Sequence, residues 1–156
     1  MADTMTEFCT LASSSSGNCA FLKADGESFL IDAGISCRAI VNGLKLLNAQ
    51  PNELNAVFIT HEHSDHIKGL KVFLKNYKIP VYSTPEVLNY LAKNDLVPAD
   101  AVLREMKDNR CDDFSAQIIS FDTPHDSVHS VGYRIHTKSG AVGIATDLGY
   151  MSDEVR

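Results

Sequence analysis

A chain of 156 residues, 44% hydrophobic and 22% charged with a formal net charge of -6, has the composition of one globular domain or part of one, able to bury roughly 70% of its unfolded surface. The acidic balance excludes a protein that coats nucleic acid by bulk electrostatics. No apolar run approaches the roughly 18 residues needed to span a bilayer, and residues 1–7 lack the basic and apolar regions of a leader, so the sequence reads as cytoplasmic with no membrane partner.

In chain order, Glu7 to Ala12 and Cys19 to Ala24 read as strands flanking the turn SSSSGN, and Asp25-Gly26 is a hairpin signal leading into Ser28 to Ile31. Ser36 can cap a helix running to about Asn48, with Ile40, Leu44 and Leu47 at core spacing. Ala56 to Thr60 is a short buried strand. Beyond it Ile67, Leu70, Leu74 and Tyr77 recur with helical period, while Lys68, Lys71, Lys75 and Lys78 share another face, the pattern of a solvated surface. Val81 to Ser83 is a further strand, and Thr84-Pro85-Glu86 caps a helix to about Asn94. Further strands are expected at Ala101 to Met106, Phe114 to Phe121, Val131 to Thr137 and Ala141 to Thr146. Mixed strands with interspersed helices predict an α/β or α+β layered fold. Cys9, Cys19, Cys37 and Cys111 have no C-x-x-C spacing and read as reduced structural thiols.

The chemistry concentrates in THEHSDH, residues 60–66. From this composition the pattern H-x-H-x-D-H arises by chance with a probability on the order of 10⁻³ per chain. Several imidazoles beside a carboxylate repel one another when protonated, whereas a divalent metal takes their lone pairs. His61 and His63 alternate as they leave a strand end and can point to one side, with Glu62 and Ser64 pointing away. Asp65 and His66 turn into the following helix and can address a second position. His125 and Asp147 each follow an apolar strand, where a rigid scaffold can hold loop residues over a shared site. The loop Ser15, Ser16, Gly17 and Asn18 can offer backbone N–H groups to a phosphate. His129 and His136 read as surface residues.

LIDAG (30–34), THEHSDH (60–66), TPHD (123–126) and ATDLG (145–149) resemble, in order and spacing, the metallo-β-lactamase-fold hydrolases. LASSSSGN (11–18) and DAGISCR (32–38) look most like the YycJ/WalJ-like branch. The resemblance implies an α+β four-layer αββα sandwich, of which this chain would hold the N-terminal half and the first strands of the second. It implies one metal held by His61, His63 and His125 and a second by Asp65 and His66, with Asp147 bridging and Asp32 orienting the ligands from behind. A hydroxide between the metals would be the nucleophile, with catalytic Asp65 holding its proton. The ions would be zinc or manganese. The family's final metal-binding histidine has no counterpart in the nine residues after Asp147, so residues 1–156 are expected to form one domain incomplete at its C-terminus, with a second metal site that lacks one ligand.

Three functional readings follow. The first is a dinuclear-metal phosphodiesterase, a 5′-to-3′ exonuclease with nucleic acid as substrate. The second is a thioester or small-ester hydrolase similar to glyoxalase II, although Ile67-Lys68-Gly69 replaces the two glycines usual after that motif. The third is a metal-binding fragment without turnover.

Overall fold

The structure is a computed structural model that describes residues 5–146. Strands β1 (Glu7–Ser14) and β2 (Gly17–Ala24) form an antiparallel hairpin, and β3 (Glu27–Ile31) returns beside β2. The turn between β2 and β3 is Asp25-Gly26, both at positive φ (54° and 80°), the backbone twist that two-residue hairpin turns favour. From β3 the sheet becomes parallel: β4 (Ala56–Phe58), β5 (Val81–Ser83) and β6 (Leu103–Glu105) follow in order, completing six strands.

Helices make the parallel crossovers. Helix α1 (Cys37–Leu46) joins β3 to β4, α2 (Ser64–Ile67) and α3 (Leu70–Asn76) join β4 to β5, and α4 (Pro85–Lys93) joins β5 to β6. Their starts follow the sequence: Ser36 Oγ accepts from the amide of Ala39 at 3.1 Å, and Thr84 Oγ1 from that of Val87 at 3.3 Å, with proline in the first turn of α4. The single helix expected after the histidine cluster is instead two. Gly69 interrupts it, donating its amide to Ala33 O at 2.9 Å, and an added Cβ there would stand 1.7 Å from Ile35 O. Helical periodicity survives the break because both short helices face the same core.

A second, antiparallel sheet contains β7 (Arg110–Cys111), β8 (Gln117–Asp122), β9 (Val131–Thr137) and β10 (Gly140–Ile144), in the order β10-β9-β8-β7. Alternation along the parallel strands explains the layering. Leu30, Val57 and Val81 meet Ile40, Leu44, Leu70, Phe73, Val87 and Leu91 of the helices. Their neighbours Phe29, Ile31, Phe58 and Tyr82 meet Ile118, Val131, Tyr133 and Ile135 of the second sheet. Helices, sheet and sheet are three of the four expected layers; the described residues include no helix on the far side of the second sheet. Among the described residues no helix is long and apolar enough to cross a membrane.

Candidate metal centre

Two parallel strands end together and begin the site. Ile31 of β3 pairs with Phe58 of β4, so the residues beyond them are forced into contact. Asp32, 1% exposed, turns out of β3 at φ 65° and donates its amide to Phe58 O at 2.7 Å. Its carboxylate faces the segment after β4: Oδ1 accepts from the Thr60 amide at 2.8 Å, and Oδ2 accepts from Thr60 Oγ1 at 2.8 Å and from His66 Nδ1 at 2.6 Å. Burial pushes the Asp32 carboxyl above its ordinary range, opposed by the hydrogen bonds and charge of His66 and by the bonds from Thr60.

These bonds fix ring orientation. With its hydroxyl proton given to Asp32, Thr60 Oγ1 accepts from His61 Nδ1 at 3.0 Å, so the acceptor nitrogen of His61 is Nε2. By the same logic His66, donating from Nδ1, keeps Nε2 as an acceptor, 3.3 Å from Asp65 Oδ2. A ring nitrogen that donates to a carboxylate leaves its partner nitrogen more basic and fixed in direction, as a metal ligand requires.

The other sheet supplies the third imidazole. Val131 donates its amide to Thr60 O at 3.0 Å and Tyr133 its hydroxyl to Ile59 O at 2.5 Å, tying β9 to the strand end. The loop between β8 and β9 carries His125, whose Nε2 lies 2.9 Å from His63 Nδ1. The rings of His61, His63 and His125 form a triangle with each pair of centroids 4.7 Å apart. One nitrogen from each lies within 4.8 Å of the others. Tetrahedral bonds of roughly 2.0–2.1 Å place zinc ligand nitrogens roughly 3.4 Å apart, between the 2.9 Å pair and the 4.8 Å limit. The donor set therefore fits a divalent metal.

Asp65 and His66 stand beside this triangle, His66 with its ring 4.1 Å from that of His61. Asn18 Nδ2 donates to Asp65 Oδ2 at 3.1 Å and to Ser14 O at 2.8 Å. Asp147 lies outside the described residues. Of the serine loop, Ser15 and Ser16 are exposed and Gly17 is buried; a Cβ on Gly17 would stand 2.6 Å from Gly34 O. Lys68 Nζ donates to Ser16 O, linking the loop to the start of the lysine stripe, while Lys71 and Lys78 pair with Asp95 and Asp100. His129 bridges two carboxylates, with Nδ1 3.1 Å from Glu86 Oε2 and Nε2 2.7 Å from Asp122 Oδ1.

Sequence reasoning overlooked three supports. Thr60 was readable only as the last strand residue, yet its place beside His61 was the available signal. Glu62 was expected to point away from the ligands; its Oε1 instead accepts from the Val128 amide at 2.9 Å while lying 3.8 Å from His63 Nε2. The hold of Asn18 on Asp65 spans 47 residues and has no local signal.

An open cavity of about 630 Å³ adjoins the centre, lined by Glu62, His63, Asp65, Ile67, Tyr90 and Leu96 among others. A second of about 400 Å³ lies by Ser13, Ser14, Ser15 and Asn18.

The sequence profile of the metallo-beta-lactamase superfamily matches residues 14–156. An exodeoxyribonuclease, YycJ of Bacillus anthracis, is 32% identical over 152 residues, covering 96% of this chain and 57% of that protein. Exodeoxyribonuclease WalJ of Streptococcus pneumoniae is 34% identical over 162 residues, covering 99% and 59%. A mutant metallo-β-lactamase from Cronobacter sakazakii shares the fold, with a TM-score of 0.76 at 15% identity over 90% of this chain and 59% of that one. This chain thus spans 57–59% of the length of these curated relatives.

Proposed function

The chain belongs to the metallo-beta-lactamase superfamily, and we propose that it carries the metal centre of a dinuclear-metal phosphodiesterase, a 5′-to-3′ exonuclease acting on nucleic acid. The observation that supports this most is the meeting of His61, His63 and His125 from two sheets, beside the Asp32–His66–Asp65 chain of contacts. In this reading His61, His63 and His125 would hold one ion and Asp65 and His66 a second, with Asp147 as a ligand the two would share. Zinc suits the imidazole set, and the carboxylates at the second position also accept manganese. When bound, the ions bring a water to reactivity near neutral pH and neutralise charge on a phosphoryl oxygen.

The protein's own groups do the rest. Asp65, its Oδ2 held by Asn18, takes the proton of the attacking water. Thr60 and Asp32 keep His61 and His66 in the tautomers that present Nε2. The net charge of -6 does not oppose a polyanion at close range once two divalent ions stand in the centre. Ser15, Ser16, Gly17 and Asn18 contact substrate phosphate, and the cavity past His63 and Asp65 receives the adjoining nucleotide, with Tyr90 as the wall on which a base stacks. The relatives' printed activity, exodeoxyribonuclease, favours this substrate class over a thioester. The free cysteines suit a reducing, cytoplasmic setting.

Elemental analysis of the purified chain beside His61→Ala and Asp65→Ala, paired with digestion of 5′-labelled single-stranded DNA, tests the proposal. About two metals per chain, reduced in both variants, together with stepwise loss of the 5′ end, is the expected result. A metal-free chain would sink the metal centre, and hydrolysis of a thioester with DNA left intact would replace the substrate.

A further inference from the structure

Glu62 sits in sequence between two candidate ligands, yet its side chain is only 6% exposed. A buried carboxylate is costly unless something bonds to it. Here one oxygen, Oε1, accepts from the amide of Val128, 66 residues away, and lies 3.8 Å from His63 Nε2. The other, Oε2, is buried with no hydrogen-bond partner among the described residues. The carboxylate is therefore directed at the loop that carries His125.

That loop has a closed base. Thr123 donates its amide to Ser130 O at 2.9 Å, and their hydroxyl oxygens lie 2.7 Å apart. His129 ties the base outward to Asp122 and Glu86. None of these bonds sets how far the His125 side of the loop stands from His61 and His63. The bond from Val128 to Glu62 does, because Glu62 shares its backbone with both.

We propose that Glu62 is a positioning residue for the three-histidine centre, its buried carboxylate clamping the His125 loop against the segment that carries His61 and His63. The alternation that turns His61 and His63 toward the metal position turns Glu62 toward the loop. One extended tripeptide thus supplies two ligands and the anchor for the third. This rests on the reading that the three histidines hold a metal, but the clamp itself is a property of the chain.

Cobalt(II) titration of the wild-type chain, Glu62→Gln and Glu62→Ala, followed by visible absorption, reads the centre without any substrate. Glu62→Ala is expected to weaken cobalt binding by roughly 10- to 100-fold and to shift the absorption bands, as loss of a group that orients a ligand does. Glu62→Gln keeps an oxygen that accepts from the Val128 amide and is expected to restore both. Equal losses in the two variants would assign the effect to charge and overturn the clamp, as would no loss in either. Amide hydrogen exchange on the metal-free wild-type chain needs no variant. There Val128, in an exposed loop, should exchange at least about tenfold more slowly than in an unstructured peptide, and an unprotected Val128 would overturn the clamp. Wild-type protein that took up no cobalt would sink the metal reading, leaving the exchange result to decide the clamp.

Discussion

Asp32 holds a left-handed backbone conformation at φ 65°, which costs a residue other than glycine roughly 1–3 kcal/mol. The three bonds to its carboxylate offset that strain and tie β3, Thr60 and His66 into one unit. Asp32→Asn keeps the shape but confronts the His66 N–H with a donor or leaves it one acceptor fewer. A roughly 10- to 100-fold loss of metal affinity at the Asp65/His66 position is expected, measured as the weaker step of a chelator competition. An unchanged weaker step would mean that Asp32 serves the fold alone. On the substrate side, Tyr90→Ala should raise KM for single-stranded DNA by roughly tenfold, while Tyr90→Phe and turnover of a base-free phosphodiester stay unchanged. Equal KM values in both variants would remove Tyr90 from the substrate path.

At the scale of elements, the site depends on backbones that approach closely. Gly34, just past β3, lies where an added Cβ would stand 1.7 Å from Asp65 O, and Gly34→Ala must push α2 aside. Overpacking of this kind costs roughly 1–3 kcal/mol or more, and thermal unfolding should show the loss together with weaker metal binding. The contact between α4 and β8 through His129 is pH-dependent. Partial burial alone would lower its pKa, but the hydrogen bonds and charges of Asp122 and Glu86 outweigh that and hold it above the ordinary value. Its own backbone amide, then His129, holds the Glu86 carboxyl down. The histidine contribution is therefore fully present below about pH 6.5 and lost as pH rises through the raised value. The Glu86 contribution is present above about pH 4.3 and lost as pH falls through the lowered one. The difference in Tm between wild type and His129→Gln should thus be largest near pH 5–6 and shrink on either side; a flat difference would show that the bridge does not form in solution.

The elements most readable from sequence were those whose signal is local. Val81–Ser83 and Val131–Thr137 fall where alternation and β-branched residues place them, and Ser36 and Thr84 cap the helices they precede. Strand β7 escaped because two residues carry no period. The break at Gly69 escaped because its cause, the carbonyl of Ile35, comes from a distant loop. In the site, His61, His63, Asp65 and His66 stand out as one short run and His125 as a residue just past an apolar strand, whereas most of the bonds that hold them, from Asp32, Asn18 and Val128, join residues 28 to 66 positions apart.

For the molecule as a whole, the centre joins two sheets that otherwise meet through apolar contacts and a few hydrogen bonds, Val131 to Thr60 and Tyr133 to Ile59 among them. Zinc at a hundredfold excess over Kd should add about 2.7 kcal/mol to stability and raise Tm on the order of 10 °C, reversed by a chelator and absent in His61→Ala. A Tm indifferent to zinc would mean that no site spans the sheets. The same layout has a consequence in time. His61 and His63 leave the ribosome ahead of His125 by 64 and 62 residues, roughly 3–12 seconds at ordinary rates of synthesis. Throughout that interval the nascent chain offers two of the three imidazoles of the centre and no loop to close over them. On the proposed reading, acquisition of the ion is consequently a late event, after β8 and β9 have docked.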